Sequence, residues 1–152
     1  MSENTDLHLF ETLHHVCIVV PDLEAAVTYY ESLGVGPWDE FPSLSSLPES
    51  TLTPAELASL SYRSCDLDNM QLQLCEPGPG STAQRRFLEE KGGGVYHLGF
   101  TVPSVQDAER QGVEAGVEVR ANGRKADGHG FTYFETVEGA GVVLEVRSAW
   151  DA

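Results

Sequence analysis

Basic residues are scarce and come late. No Lys or Arg precedes Arg63, whereas the first 60 residues carry ten acids, and the whole chain sets 9 basic against 24 acidic side chains for a formal charge of −15. A field of that sign repels phosphate backbones and anionic lipid, which excludes nucleic-acid and membrane-surface partners and leaves the second half to hold any anionic substrate. Long apolar runs are also missing: none nears the roughly 20 residues of a membrane helix. Met1 to Phe10 has neither the basic patch nor the apolar stretch of a secretion signal, so a cytoplasmic protein is expected. Cysteine is limited to Cys17, Cys65 and Cys75, an odd number without Cys-x-x-Cys spacing. That set suits neither a disulfide framework nor a zinc knuckle, and free thiols are expected.

What is present is a chain of 152 residues, 41 % hydrophobic, enough to bury one core of ordinary size. It repeats itself once. An offset of 82 residues lays Leu13 to Pro21 on Val95 to Pro103, pairing His15 with His97, Val20 with Val102 and Pro21 with Pro103, and further on Ala26 with Ala108 and Gly34-Val35 with Gly116-Val117. In each copy an apolar, β-branched run stops at a proline, which marks a strand end. A helix follows, capped by Asp22 in the first copy and Ser104 in the second, and closed by Gly34 or Gly116. Strand signals come next: near Trp38, Ser61 to Asp66 and Met70 to Cys75, then near Val117 to Arg120, Phe131 to Glu135 and Gly141 to Val146. The reading is one domain, residues 1–152, made of module 1 at about 12–76, a linker and short helix at about 77–94, and module 2 at about 95–147. Phe41 to Leu60, rich in Ser, Pro and Leu, is either a lid or a plain surface loop.

Strand alternation separates the side chains of each run. His15, Cys17 and Val19 share one face against the more apolar His14, Val16, Ile18 and Val20, which should meet the helix; His97, Gly99 and Thr101 oppose Tyr96, Leu98, Phe100 and Val102. Gln73 and Glu145 stand as polar residues in the otherwise apolar closing strands of the two modules. Two imidazoles, an amide and a carboxylate on one face cost several kcal/mol to bury unless they are paired or hold a metal.

The runs Leu13 to Ala26 and Val95 to Val102, with the closing Gly141 to Val146, resemble the vicinal oxygen chelate superfamily, which includes glyoxalase I, methylmalonyl-CoA epimerase and extradiol dioxygenases. The resemblance covers roughly Thr12 to Arg147. It implies an α+β fold, two βαβββ modules in tandem forming a cup-shaped mixed β-sheet around one divalent metal (Co, Ni, Zn, Mn or Fe), and a homodimer. The His, Gln, His, Glu ligand order of the epimerase branch is matched by His15, Gln73, His97 and Glu145.

The resemblance further implies a Lewis-acid metal that stabilises the charge left when a proton leaves the carbon next to a carbonyl. A separate glutamate on a first-half strand is the epimerase branch's acid/base, and Ser61 to Asp66 contains none. The candidates for proton transfer here are Glu145, then Tyr133, Asp66 and His129. The glycine-rich stretch Asn122 to Gly130 offers Arg124 and Lys125 to a carboxylate or phosphate. The expected activity is isomerisation or epimerisation of a small molecule with adjacent oxygens, thioester or not. A glyoxalase I-like lyase, an extradiol-type dioxygenase and a sequestering resistance protein are the alternatives.

Overall fold

A computed structural model describes residues 7–41 and 47–148. In chain order they form β1 (Leu13–Val19), α1 (Leu23–Ser32), β2 (Asp39–Glu40), β3 (Glu49–Ser50), α2 (Pro54–Ala58), β4 (Leu60–Asp66), β5 (Gln71–Pro77), α3 (Ala83–Lys91), β6 (Gly94–Thr101), α4 (Val105–Glu114), β7 (Val119–Arg124), β8 (Gly130–Phe134), α5 (Val137–Ala140) and β9 (Val143–Arg147). Leaving aside β3 and the short helices, strand, helix and three strands occur twice. The architecture is α+β, with parallel and antiparallel pairing. Among the described residues no helix is long and apolar enough to cross a membrane.

The chain divides into two compact units. The first comprises His15–Ser46 and Thr53–His97. Within it β5 lies between β1, to which it runs parallel, and β4, to which it runs antiparallel, and β2 adds to the outer edge of β4. Helix α1 starts where expected: the Asp22 carboxylate accepts from the Ala25 amide at 3.0 Å, satisfying one of the free donors of the first turn. Thr53 and Glu56 cap α2 reciprocally, and Thr82 caps α3.

The second unit comprises Met1–His14, Leu47–Leu52 and Leu98–Ala152. Here the order is β9, β8, β7, β3, all antiparallel. Its core is Leu9, Val102, Val105, Ala108, Phe134 and Val146, with Leu7, Phe10, Val117 and Val119 packed against it. Helix α4 contributes Val105 and Ala108 to that core, and Ser104 caps it through the Asp107 amide as expected. Gly34 and Gly116, the equivalent residues just beyond α1 and α4, adopt φ of +88° and +94°, where a side chain would be strained.

Four details differ from the sequence reading. His15, Cys17 and Val19 are the buried face of β1, while His14, Val16 and Ile18 are only half-buried, so the more polar face is the inner one. The second strand of module 2 runs over Val119–Arg124 rather than Val117 to Arg120, which puts Asn122, Gly123 and Arg124 in β7 instead of a loop. A side chain at Gly123 would meet the Phe131 ring and the Leu47 side chain below 3 Å, so the glycine answers to packing within the sheet. Phe41 to Leu60 is not one plain loop. It contributes β3, which pairs with β7 through Glu49 opposite Arg124 and Ser50 opposite Gly123, and then α2; residues 42–46 of the suggested lid lie outside the described residues.

Candidate metal centre

The first unit brings the two repeat-related histidines together. His15 on β1 and His97 on β6 are 3 % and 1 % exposed, and their Nε2 atoms lie 2.9 Å apart with the rings at 84°. Two imidazole nitrogens at about 2.1 Å from one ion, at a right angle, stand about 3.0 Å from each other. The two rings are hydrogen-bonded at this distance, which is also the spacing of two neighbouring ligands of a six-coordinate divalent cation, and the donor type fits.

Gln73 lies on the same face. In the β1–β5 ladder His15 is opposite Gln71 and Cys17 is opposite Gln73, and residues in register share a face. Gln73 is buried, and its Nε2 donates to Gln71 Oε1 at 2.8 Å. Gln71 Nε2 in turn donates to Asp66 Oδ1 at 3.0 Å. Asp66, exposed at the end of β4 and opposite Gln71 in the β4–β5 ladder, terminates this line of amides.

In the second unit Glu145 on β9 is 5 % exposed and directly opposite the buried Tyr133 of β8. A buried carboxylate needs a cation or several donors to offset the water it gives up. Within the first unit the buried His15 and His97 each offer one ligating nitrogen to a metal ion.

The remaining candidates are distributed differently. His129 sits in the turn between β7 and β8, half-buried, with Nδ1 3.0 Å from Ser148 Oγ, and its backbone amide donates to Asp127, whose carboxyl it holds below the ordinary aspartate range. Lys125 helps close the same turn, its amide donating to the His129 carbonyl. Arg124 is 6 % exposed and turned into the unit rather than held out for an anion. Its guanidinium donates to Glu109 Oε1 at 2.7 Å, Thr132 Oγ1 at 2.9 Å and the carbonyls of Gly123 and Phe131. Burial works to raise the pKa of Glu109, but hydrogen bonds from Thr132, Asn122 and Arg124 and the Arg124 charge outweigh it and hold that carboxyl below its ordinary value. Glu109 was not among the sequence candidates, because nothing within α4 announces a partner fifteen residues away.

Cys17, Cys65 and Cys75 are buried thiols outside any disulfide, as expected. Burial pushes the Cys75 thiol up to about 12.

Residues 14–133 match the family model of the glyoxalase/bleomycin resistance protein/dioxygenase superfamily. The chain belongs to that family. An ethylmalonyl-CoA/methylmalonyl-CoA epimerase of Cereibacter sphaeroides is 32 % identical over 124 residues, covering 78 % of this chain and 81 % of the relative. Among solved structures, the methylmalonyl-CoA epimerase of Mycobacterium tuberculosis superposes with a TM-score of 0.67 at 21 % identity, over 97 % of this chain and 95 % of its own. A Streptomyces coelicolor methylmalonyl-CoA epimerase variant in complex with 2-nitronate-propionyl-CoA gives a TM-score of 0.70 at 21 % identity, over 95 % and 98 %. At that identity the superpositions establish the fold, which is that of the vicinal oxygen chelate enzymes, as the paired modules imply.

Proposed function

We propose that this protein is a metal-dependent epimerase that moves a proton on the carbon next to a carbonyl, with an acyl thioester of the methylmalonyl-CoA class as substrate. The observation that carries the reading is the approach of His15 and His97 at 2.9 Å, the spacing of two ligands on one ion, in a chain 32 % identical to an epimerase. In this reading His15, Gln73, His97 and Glu145 hold the divalent metal. When bound, that ion supplies Lewis-acid stabilisation of negative charge on the substrate's carbonyl oxygen.

The chain's own residues do the rest. The two imidazoles bind as neutral ligands, each through Nε2, and Gln73 adds an uncharged oxygen. Glu145 is the first candidate to take the proton, at a carboxylate oxygen, and Tyr133, opposite it, is the candidate to hold or return a proton at its phenolic oxygen. Burial of His15, His97, Tyr133 and Glu145 keeps bulk water from competing at these atoms. A homodimer in the cytoplasm belongs to the same proposal.

The test is to strip the purified protein of metal, reload it separately with Co, Ni, Mn, Zn and Fe(II), and follow deuterium uptake from D2O into one epimer of methylmalonyl-CoA. Metal-dependent uptake with loss of optical purity is the expected result. A stoichiometrically loaded protein that leaves this substrate unchanged overturns the epimerase reading, and turnover of the methylglyoxal–glutathione hemithioacetal instead makes it a lyase.

A further inference from the structure

We propose that Asp66 and Gln71 are positioning residues that fix which end of the Gln73 amide is presented as a metal ligand, an inference that rests on the metal site proposed above. The two ends of a primary amide are nearly equal in size, so packing chooses poorly between them, whereas hydrogen bonds choose well. An ionised carboxylate only accepts. Asp66 therefore requires Gln71 to turn its Nε2 toward it, at 3.0 Å. That leaves Gln71 Oε1 facing Gln73, and an oxygen there requires the Gln73 Nε2, at 2.8 Å. With its nitrogen so engaged, Gln73 has its carbonyl oxygen as the end left for a cation, and the opposite orientation would aim an N–H group at the metal.

The backbone sets up this line. Asp66 is opposite Gln71 in the antiparallel β4–β5 ladder, and Gln71 and Gln73 are two residues apart on one strand, so all three side chains leave one face. His15 is also opposite Gln71, on the other side of β5, which places the middle of the relay beside a second proposed ligand. Metal-ligating side chains commonly depend on such outer partners, whose loss weakens metal affinity by about 10-fold to 100-fold.

The experiment is Co(II) titration of the full-length protein by calorimetry and visible absorption, with folding checked by circular dichroism. Asp66 is exposed, so Asp66→Ala leaves the core intact, and we expect it to weaken Co(II) binding about tenfold and to change the d–d spectrum. Gln71→Met should do the same. Asp66→Asn keeps an accepting oxygen toward Gln71 and should hold affinity within about threefold of the wild type. In a Gln73→Ala background, Asp66→Ala should have no further effect, because the residue it acts through is gone. If Asp66→Asn weakens binding as much as Asp66→Ala, the effect belongs to the charge and the relay is overturned; an Asp66→Ala effect that persists without Gln73 overturns it equally. A wild type that binds no Co(II) fails the metal site itself and the relay with it, whereas a wild type that binds and variants that match it fail the relay alone.

Discussion

Tyr133 stands directly across the β8–β9 ladder from Glu145, and both side chains are buried on one face of that pair. A phenol beside a carboxylate is placed to share a proton with it or with a substrate. Tyr133→Phe keeps the ring and removes only the hydroxyl. The expected outcome is unchanged metal content with kcat reduced about a hundredfold, measured on the metal-loaded enzyme. A variant with the wild-type rate would leave Tyr133 as packing.

His97→Ala removes one of two nitrogens that approach to 2.9 Å. Metal content by elemental analysis should fall to background, and turnover should vanish with it. A His97→Ala protein that remains folded, metal-free and active would contradict the proposed chemistry at its base.

The Arg124–Glu109 pair predicts a pH dependence of stability. Glu109 has its carboxyl held below the ordinary range, so its contribution is present above that range and is lost as pH falls through the lowered folded value. Glu109→Gln should therefore lower stability at pH 7 by about 2 kcal/mol, less than for a fully buried pair because the Glu109 side chain is 25 % exposed. The difference from wild type should shrink below about pH 4. Urea unfolding at pH 7 and at pH 3 checks both statements.

Two glycines in helices predict opposite signs. A Cβ on Gly112 of α4 would lie 2.7 Å from the ring of Phe134, which is fully buried, so Gly112→Ala must displace the core; overpacking of about 2 kcal/mol exceeds the gain of about 1 kcal/mol in helix propensity. Gly139 of α5 has nothing within 4 Å, and Gly139→Ala should stabilise by about 0.5 kcal/mol. Thermal unfolding of the two variants side by side reads the contrast.

The legible part of this fold was the part written in local grammar. Asp22 and Ser104 cap their own helices, and Gly34 and Gly116 end them, because caps and stops need only neighbours in sequence. The repeat made His15 and His97 stand out together, and the structure sets them in contact. Pairings made across long separations left little trace. The polar Glu49-Ser50 carries no strand pattern of its own and becomes β3 through the backbone of β7. Arg124, flanked by glycine and lysine, looked like a residue for solvent or substrate; Glu109, on another element, draws it inward. Gln71 shares the face of Gln73 by simple alternation, but its contact with Asp66 depends on the β4–β5 register, which the sequence of either strand does not state.

The short β3 has a consequence beyond the fold of one molecule. Without it, the outer side of β7 would be a row of unmatched amides and carbonyls, the kind of edge onto which a strand of another chain can add. Glu49 and Ser50 fill that row opposite Arg124 and Gly123, and Thr51 completes it by exchanging bonds with Asn122: its amide donates to the Asn122 carbonyl, and its hydroxyl accepts from the Asn122 amide. The extra length of the first half thus acts as a guard against edge-to-edge aggregation, and removing Glu49 to Thr51 would trade a matched edge for an open one.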